Sequence, residues 1–179
     1  MKALSIYTIA GLAGAFLLVQ PSLTAAEPES RGSLSEGDYK FVNAASQGGV
    51  AEVKLGELAK QKGTSQAVKE FGERMVTDHG KANQELTTIA AGKNAVPRSE
   101  FTHKENSTFE KLQKASGKDF DKAYAAAMVK DHKEDVKEFK EAAQDLKDPE
   151  LRAFAAKTLP VLEEHLKLAQ DMESAVKKE

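Results

Sequence analysis

From Glu36 onward, apolar residues recur every three or four positions with charged residues between them, the period of helices that bury one face. The first stretch runs from about Glu36 to Lys62, with the stripe Phe41, Ala45, Gly48, Glu52, Leu55, Ala59. Gly63-Thr64-Ser65 ends it, with Gly as a C-terminal cap and Ser65 as the N-terminal cap of the next helix. That second helix spans about Gln66 to Ala91 and carries Val68, Phe71, Met75, His79, Ala82, Leu86 and Ile89. Gly92 and Pro97 close it. A shorter polar helix covers Ser99 to Ala115, and Ser116-Gly117 breaks it. The next runs from about Asp119 to Lys147 on Phe120, Tyr124, Met128, His132, Val136, Phe139, Ala143 and Leu146. Asp148-Pro149 then starts a last helix to about Lys177, since Asp caps and Pro suits the first helical position. Its stripe is Leu151, Ala155, Thr158, Leu162, His165, Ala169, Met172 and Val176. Strand signals are missing.

Four long helices, each about 40 Å at 1.5 Å per residue, with one apolar stripe apiece, bury one another in a four-helix bundle. The two- or three-residue loops make antiparallel hairpins of the first two and the last two long helices. The short helix carries the chain between the hairpins. Pro160 inside the last helix removes a backbone donor and crowds the carbonyl of Ala156. Gly48-Gly49 inside the first helix reads either as close helix contact or as a bulge making room beside Glu52.

The stripes hold the candidate chemistry. Three of the four histidines, His79, His132 and His165, fall on them, and the first helix contributes Glu52. His103, in the short helix, reads as solvated. Counted from the hairpin turns, the four stripe residues lie at nearly the same height, within about one helical turn. Their ligand atoms should then converge within about 4–5 Å of one another if one ion holds them. A buried carboxylate among imidazoles is costly unless each group finds a partner. One divalent transition metal (zinc, iron, manganese, nickel or copper) would satisfy all four. A metal-free hydrogen-bond network that sets helix register is the other reading. Phe71-x3-Met75-Val76-x-Asp78-His79 and Tyr124-x3-Met128-Val129-x-Asp131-His132 share one pattern. Asp78 and Asp131 lie beside the stripe, placed to orient a histidine on a neighbouring helix. Met75 and Met128 read as core filler; as ligands they would favour Cu(I).

Composition narrows the setting. With no Cys among 179 residues there is no disulfide, thiolate site or lipid-modified cysteine. Residues 1–26 read as a secretory signal: Lys2, an apolar run from Ile6 to Val19, Pro21, and Thr24-Ala25-Ala26 at the cleavage site. Residues 27–35 read as a disordered linker, leaving one bundle domain over 36–178. Lys2 is the only charge removed, so the 26 basic residues become 25 against 28 acidic, a net −3 with no pull toward nucleic acid. After residue 26 no window is long and apolar enough to span a membrane. Export with no thiol suits a periplasm. No Ser-His-Asp arrangement, phosphate loop or nucleotide fingerprint is present, so no reaction is specified, and protein partners and oligomeric state stay open.

The segments Phe41-Val42-x-Ala44-Ala45-x-Gln47-Gly48-Gly49-x-Ala51-Glu52-Val53, Met75-Val76-x-Asp78-His79, Phe120-Asp121-x-x-Tyr124 and Thr158-Leu159-Pro160-x-Leu162-x-x-His165-Leu166 resemble the domain-of-unknown-function 4142 family over about residues 40–175. The resemblance implies an exported bacterial protein with a ferritin-like four-helix bundle and no established activity. Family members carry outer-membrane or periplasmic labels, and charged outer faces suit the periplasm. Di-iron carboxylate bundles place a Glu three residues before each metal-binding His. Here those positions are Val76, Val129 and Leu162. The pattern supports a mononuclear site at most. Two functions follow: an exported protein binding a single metal ion, or a non-catalytic envelope or stress-related interaction protein whose polar cluster is structural.

Overall fold

The computed structural model describes residues 30–178. The signal segment 1–26 and linker residues 27–29 lie outside them. Five helices follow: α1 (Glu36–Lys62), α2 (Gln66–Gly92), α3 (His103–Lys114), α4 (Gly117–Asp145) and α5 (Pro149–Val176). The four long ones match the predicted stretches to within two residues. α3 starts four residues later than expected, because Thr102 caps it and Glu105 returns the bond to the Thr102 amide. α5 runs unbroken through Pro160, which sits on its exposed side.

The caps are built from the residues that predicted them. The Ser65 hydroxyl accepts from the Val68 amide at 3.3 Å, and Asp148 accepts from Glu150 and Leu151. Gly63 works differently from expectation. Its φ is −55°, so no left-handed cap forms. A Cβ there would sit 2.6 Å from the Ala59 carbonyl, so the turn needs glycine for space. Gly117, at φ +58°, does need the left-handed region as it opens α4.

α1 packs along α2, and α4 along α5, as two antiparallel hairpins. Two buried carboxylates lock them together. Asp121, near the start of α4, accepts from the Thr64 and Ser65 amides and the Thr64 hydroxyl in the α1–α2 turn. Asp38, near the start of α1, accepts from the Lys147 and Asp148 amides in the α4–α5 turn. Each hairpin's first helix therefore braces the other's turn, and α2 and α4 run parallel. The loop after α2, followed by α3, carries the chain back along the bundle against α1 and α4. This is the single long crossover of ferritin-like folds.

The disordered-linker expectation fails for residues 30–35. The Ser33 amide donates to the Lys93 carbonyl at 2.9 Å, the Val96 amide donates to Ser30 at 2.8 Å, and Leu34 is buried. Leu34 joins an apolar cluster with Phe41, Leu86 and Ala95, and that burial offsets the entropy of ordering the segment.

The core is divided. One apolar cluster, around Phe71, Met75, Phe120, Tyr124 and Met128, fills the end beside the α1–α2 turn. A second, around Phe41, Leu86, Phe139, Phe154 and Leu162, fills the opposite end. A polar layer separates them.

Candidate metal centre

That layer is made of Glu52 from α1, His79 from α2, His132 from α4 and His165 from α5, with 4%, 7%, 0% and 1% of their surfaces exposed. Each lies on the inward stripe of its helix, and the hairpin geometry puts the four at one level. One nitrogen from each histidine lies within 4.8 Å of the others. Ring centroids are 5.7 Å apart for His79–His132 and 5.4 Å for the other two pairs. The edge-on ring of Phe71 contacts His132 and His165 and closes the layer toward the first cluster.

The hydrogen bonds determine the tautomers. His132 Nδ1 lies 3.0 Å from the Met128 carbonyl, which only accepts, so Nδ1 carries the proton. His79 Nδ1 donates to Glu52 Oε2 at 2.7 Å, and His165 Nε2 to Asp78 Oδ2 at 3.0 Å. Every histidine thus spends one nitrogen on an orienting acceptor. The other nitrogens, His79 Nε2, His132 Nε2 and His165 Nδ1, have no hydrogen-bond partner, and neither does Glu52 Oε1. His132 Nε2 and Glu52 Oε1 face each other at 3.3 Å. With neutral imidazoles, these are four buried acceptors without a donor. A cation or a proton between them resolves the conflict.

Electrostatics follow from the same contacts. Burial pushes the Glu52 carboxyl up, but His79 and His132 outweigh it and hold the group well below its usual range. Burial takes the His165 imidazole down to about 4 despite Asp78. A neutral His165 is ready to ligate without first losing a proton.

The flanking expectations divide. Asp78 reaches His165 on a neighbouring helix, as its position beside the stripe suggested. Asp131 touches no histidine; it pairs with Lys104 of α3 at 3.1 Å, because α3 lies over that side of α4. Met75 and Met128 belong to the first apolar cluster. His103 opens α3 and is exposed. Gly49 faces α2 so closely that a Cβ would fall 2.1 Å from Asn83 Oδ1, whereas a Cβ on Gly48 would meet nothing within 4 Å. The close-contact reading therefore holds at Gly49, whereas α1 stays a regular helix through the pair and forms no bulge; Gly48 only leaves open space.

Asp135 is the site residue that the stripes did not single out. Glu52, His132 and Asp135 each offer one ligand atom within 4.8 Å of the others. Burial, then the Glu52 and Asp131 charges, push its carboxyl well above the usual range. Two signals pointed to it. It stands three residues after His132, on the same helix face. It also follows Asp121 by the fourteen residues that separate Glu52 from Asp38, so it is Glu52's counterpart in the other hairpin. Gly48, Glu52, His79, Asp135 and Glu138 border a cavity of about 30 Å³, room for a water or an ion.

The same fold occurs in solved structures. A DUF305 fragment from Deinococcus radiodurans superposes with a TM-score of 0.69 at 10% identity, covering 82% of this chain and 99% of that one. CopM in its Cu(II)-bound form gives 0.67 at 17% identity, and in its Cu(I)-bound form 0.65 at 15%, each covering 77% of this chain and 96% of that one. No curated protein matches the chain. Among the described residues, no helix is long and apolar enough to cross a membrane. The chain belongs to the family described as Domain of unknown function (DUF4142), whose model matches residues 23–172.

Proposed function

We propose that this protein is an exported metal-binding protein that holds one transition-metal ion through His79, His132, His165 and Glu52. The observation that carries this reading is the convergence of buried acceptors: three oriented imidazoles and a carboxylate oxygen, without a donor among them. Imidazole nitrogens steered by carboxylate and carbonyl acceptors are the usual surroundings of histidine ligands. A donor set of three neutral nitrogens and one oxygen suits copper or zinc, and also iron, manganese or nickel. Copper is the first ion to test, because CopM, similar in fold, has been solved with copper in both oxidation states. The ion would fix the four helices at their common level. Binding and handling the metal is the role proposed, in the periplasm, with the 1–26 leader removed.

The test is metal analysis after dialysis of the chelator-treated protein against Cu(II), Zn(II), Fe(II), Mn(II) and Ni(II) in turn. One ion per chain is expected, absent from the variant in which His79, His132 and His165 are all Ala. Occupancy no higher than that variant's rejects the reading.

The 3.3 Å approach of His132 Nε2 to Glu52 Oε1 favours one alternative. A proton there makes an imidazolium–carboxylate pair, and the layer is then a structural network. That alternative predicts that His132→Leu alone, which leaves the Glu52 charge buried without its partner, destabilises the protein by about 3–5 kcal/mol, whereas apolar replacement of both groups is neutral or stabilising.

A further inference from the structure

An ion approaching the histidines meets two different walls. Across the α2–α5 seam, Arg74 reaches Glu164 at 2.6 Å and Lys157 reaches Glu85 at 2.8 Å. These ion pairs strap α2 to α5 over a groove lined by Asp78, His79 and His165, each cation matched by a carboxylate. Across the α1–α4 seam, Ala44, Ala45 and Gly48 face Asp135 and Glu138 around the small cavity. The side chains on α1 are too small to close the gap, and open space lies where a Gly48 Cβ would be. Lys104 is bound to Asp131 and Glu134 on the same helix. Glu52, almost wholly buried, presents its unpartnered Oε1 at the inner end.

Two groups of three ligand atoms lie here: His79–His132–His165 and Glu52–His132–Asp135. They share His132. Its Nδ1 is committed to the Met128 carbonyl, so it has one nitrogen to give and cannot serve two ions at once. The groups are alternative positions for a single ion. We propose that metal loads through the α1–α4 seam. Glu138 and Asp135 draw the cation past Gly48, Glu52–His132–Asp135 holds it first, and His79 and His165 then take it inward. This inference rests on the metal-binding reading above.

Stopped-flow mixing of metal-free protein with Cu(II), followed by the visible absorption of histidine-bound copper, separates rate from endpoint. Glu138→Gln and Gly48→Leu should slow uptake about tenfold or more, as loss of a focusing charge or of an open path does. Release should slow equally, leaving their affinity at the wild-type value. Asp135→Asn should slow uptake as well. Added salt should slow the wild type and slow Glu138→Gln less. Wild-type rates in both Glu138→Gln and Gly48→Leu overturn the route, as does faster uptake in Arg74→Gln or Lys157→Gln with the seam variants unchanged. Glu138→Gln alters no helix contact, so it decides the matter if Gly48→Leu fails to fold. A wild type that takes up none of the five ions sinks both readings; a wild type that binds, with unaltered rates in the variants, sinks this one alone.

Discussion

Glu52 binds His79 through one carboxylate oxygen, at 2.7 Å, and turns the other toward the bare nitrogen of His132 at 3.3 Å. The first contact is a charge-assisted hydrogen bond. The second sets two acceptors against each other. Most of what distinguishes this bundle from an ordinary helical core follows from that difference.

Glu52→Gln separates stability from binding. The amide oxygen can accept from His79 while the NH₂ group donates to His132, so the conflict disappears. The metal-free variant should be more stable by about 1–3 kcal/mol. Its metal affinity should fall roughly tenfold or more, because an anionic ligand has become neutral. Urea unfolding with chelator and competitive metal titration read the two effects. A destabilised metal-free variant would mean that His132 is protonated and that Glu52 is its counter-ion.

The metal-free protein should weaken as pH falls from 6.5 to 4. Burial lowers His165 to about 4 against the opposing pull of Asp78, whereas the unfolded imidazole titrates near 6.5. In that window the unfolded chain binds more protons, so stability rises with pH and drops on acidification, by on the order of 3 kcal/mol at the limit. Unfolding curves at pH 7, 5.5 and 4.5 should show the loss in the wild type and a flatter profile in His165→Gln. Parallel profiles would remove His165 as the cause.

The two bracing carboxylates should matter locally. Asp121→Asn and Asp38→Asn replace charged acceptors that hold backbone amides, at about 2 kcal/mol each. Hydrogen exchange should quicken at Thr64 and Ser65 in the first variant and at Lys147 and Asp148 in the second. Burial raises the Asp38 carboxyl, but the Ser35 hydroxyl and the Lys147 and Asp148 amides outweigh it and hold it low. Its contribution is present above about pH 4 and is lost as pH falls through the lowered value, a window below that of His165. Exchange that rises uniformly along the chain would contradict a local brace.

The glycines of α1 and α2 should respond with opposite signs. A Cβ on Gly72 would lie 2.7 Å from the Gly56 carbonyl, and one on Gly56 would lie 2.6 Å from that of Gly72. Backbone cannot yield, so Gly72→Ala should destabilise the protein by about 2 kcal/mol or more. Gly48→Ala enters open space and should stabilise it by up to about 1 kcal/mol, the helix preference of Ala over Gly. Thermal unfolding of both checks the signs; a loss at Gly48 would show that the gap is not free.

The stripes made the long helices readable because a buried face repeats every three or four residues, and short loops left the hairpins no other arrangement. Counting from the turns then placed Glu52 and three histidines at one height, where they meet. Residues 30–35 were misread for a related reason: their polar composition hides Leu34, whose partners Leu86 and Ala95 lie far along the chain. Asp135 was missed because an acid beside a stripe looks like any solvated acid until α1 is laid against it.

Residue order alone determined which side chains point inward and at what level, since helix rise and turn length are local properties. It could not decide which nitrogen of each imidazole is free, that Asp78 and not Asp131 orients a histidine, or that a small cavity bordered by Glu52, Asp135 and Glu138 lies in the α1–α4 seam. Those depend on contacts between helices. Each is decided by the hydrogen-bond partner a neighbouring turn supplies, by the place where α3 crosses, and by glycines that let two backbones touch at one crossing and leave a gap at another.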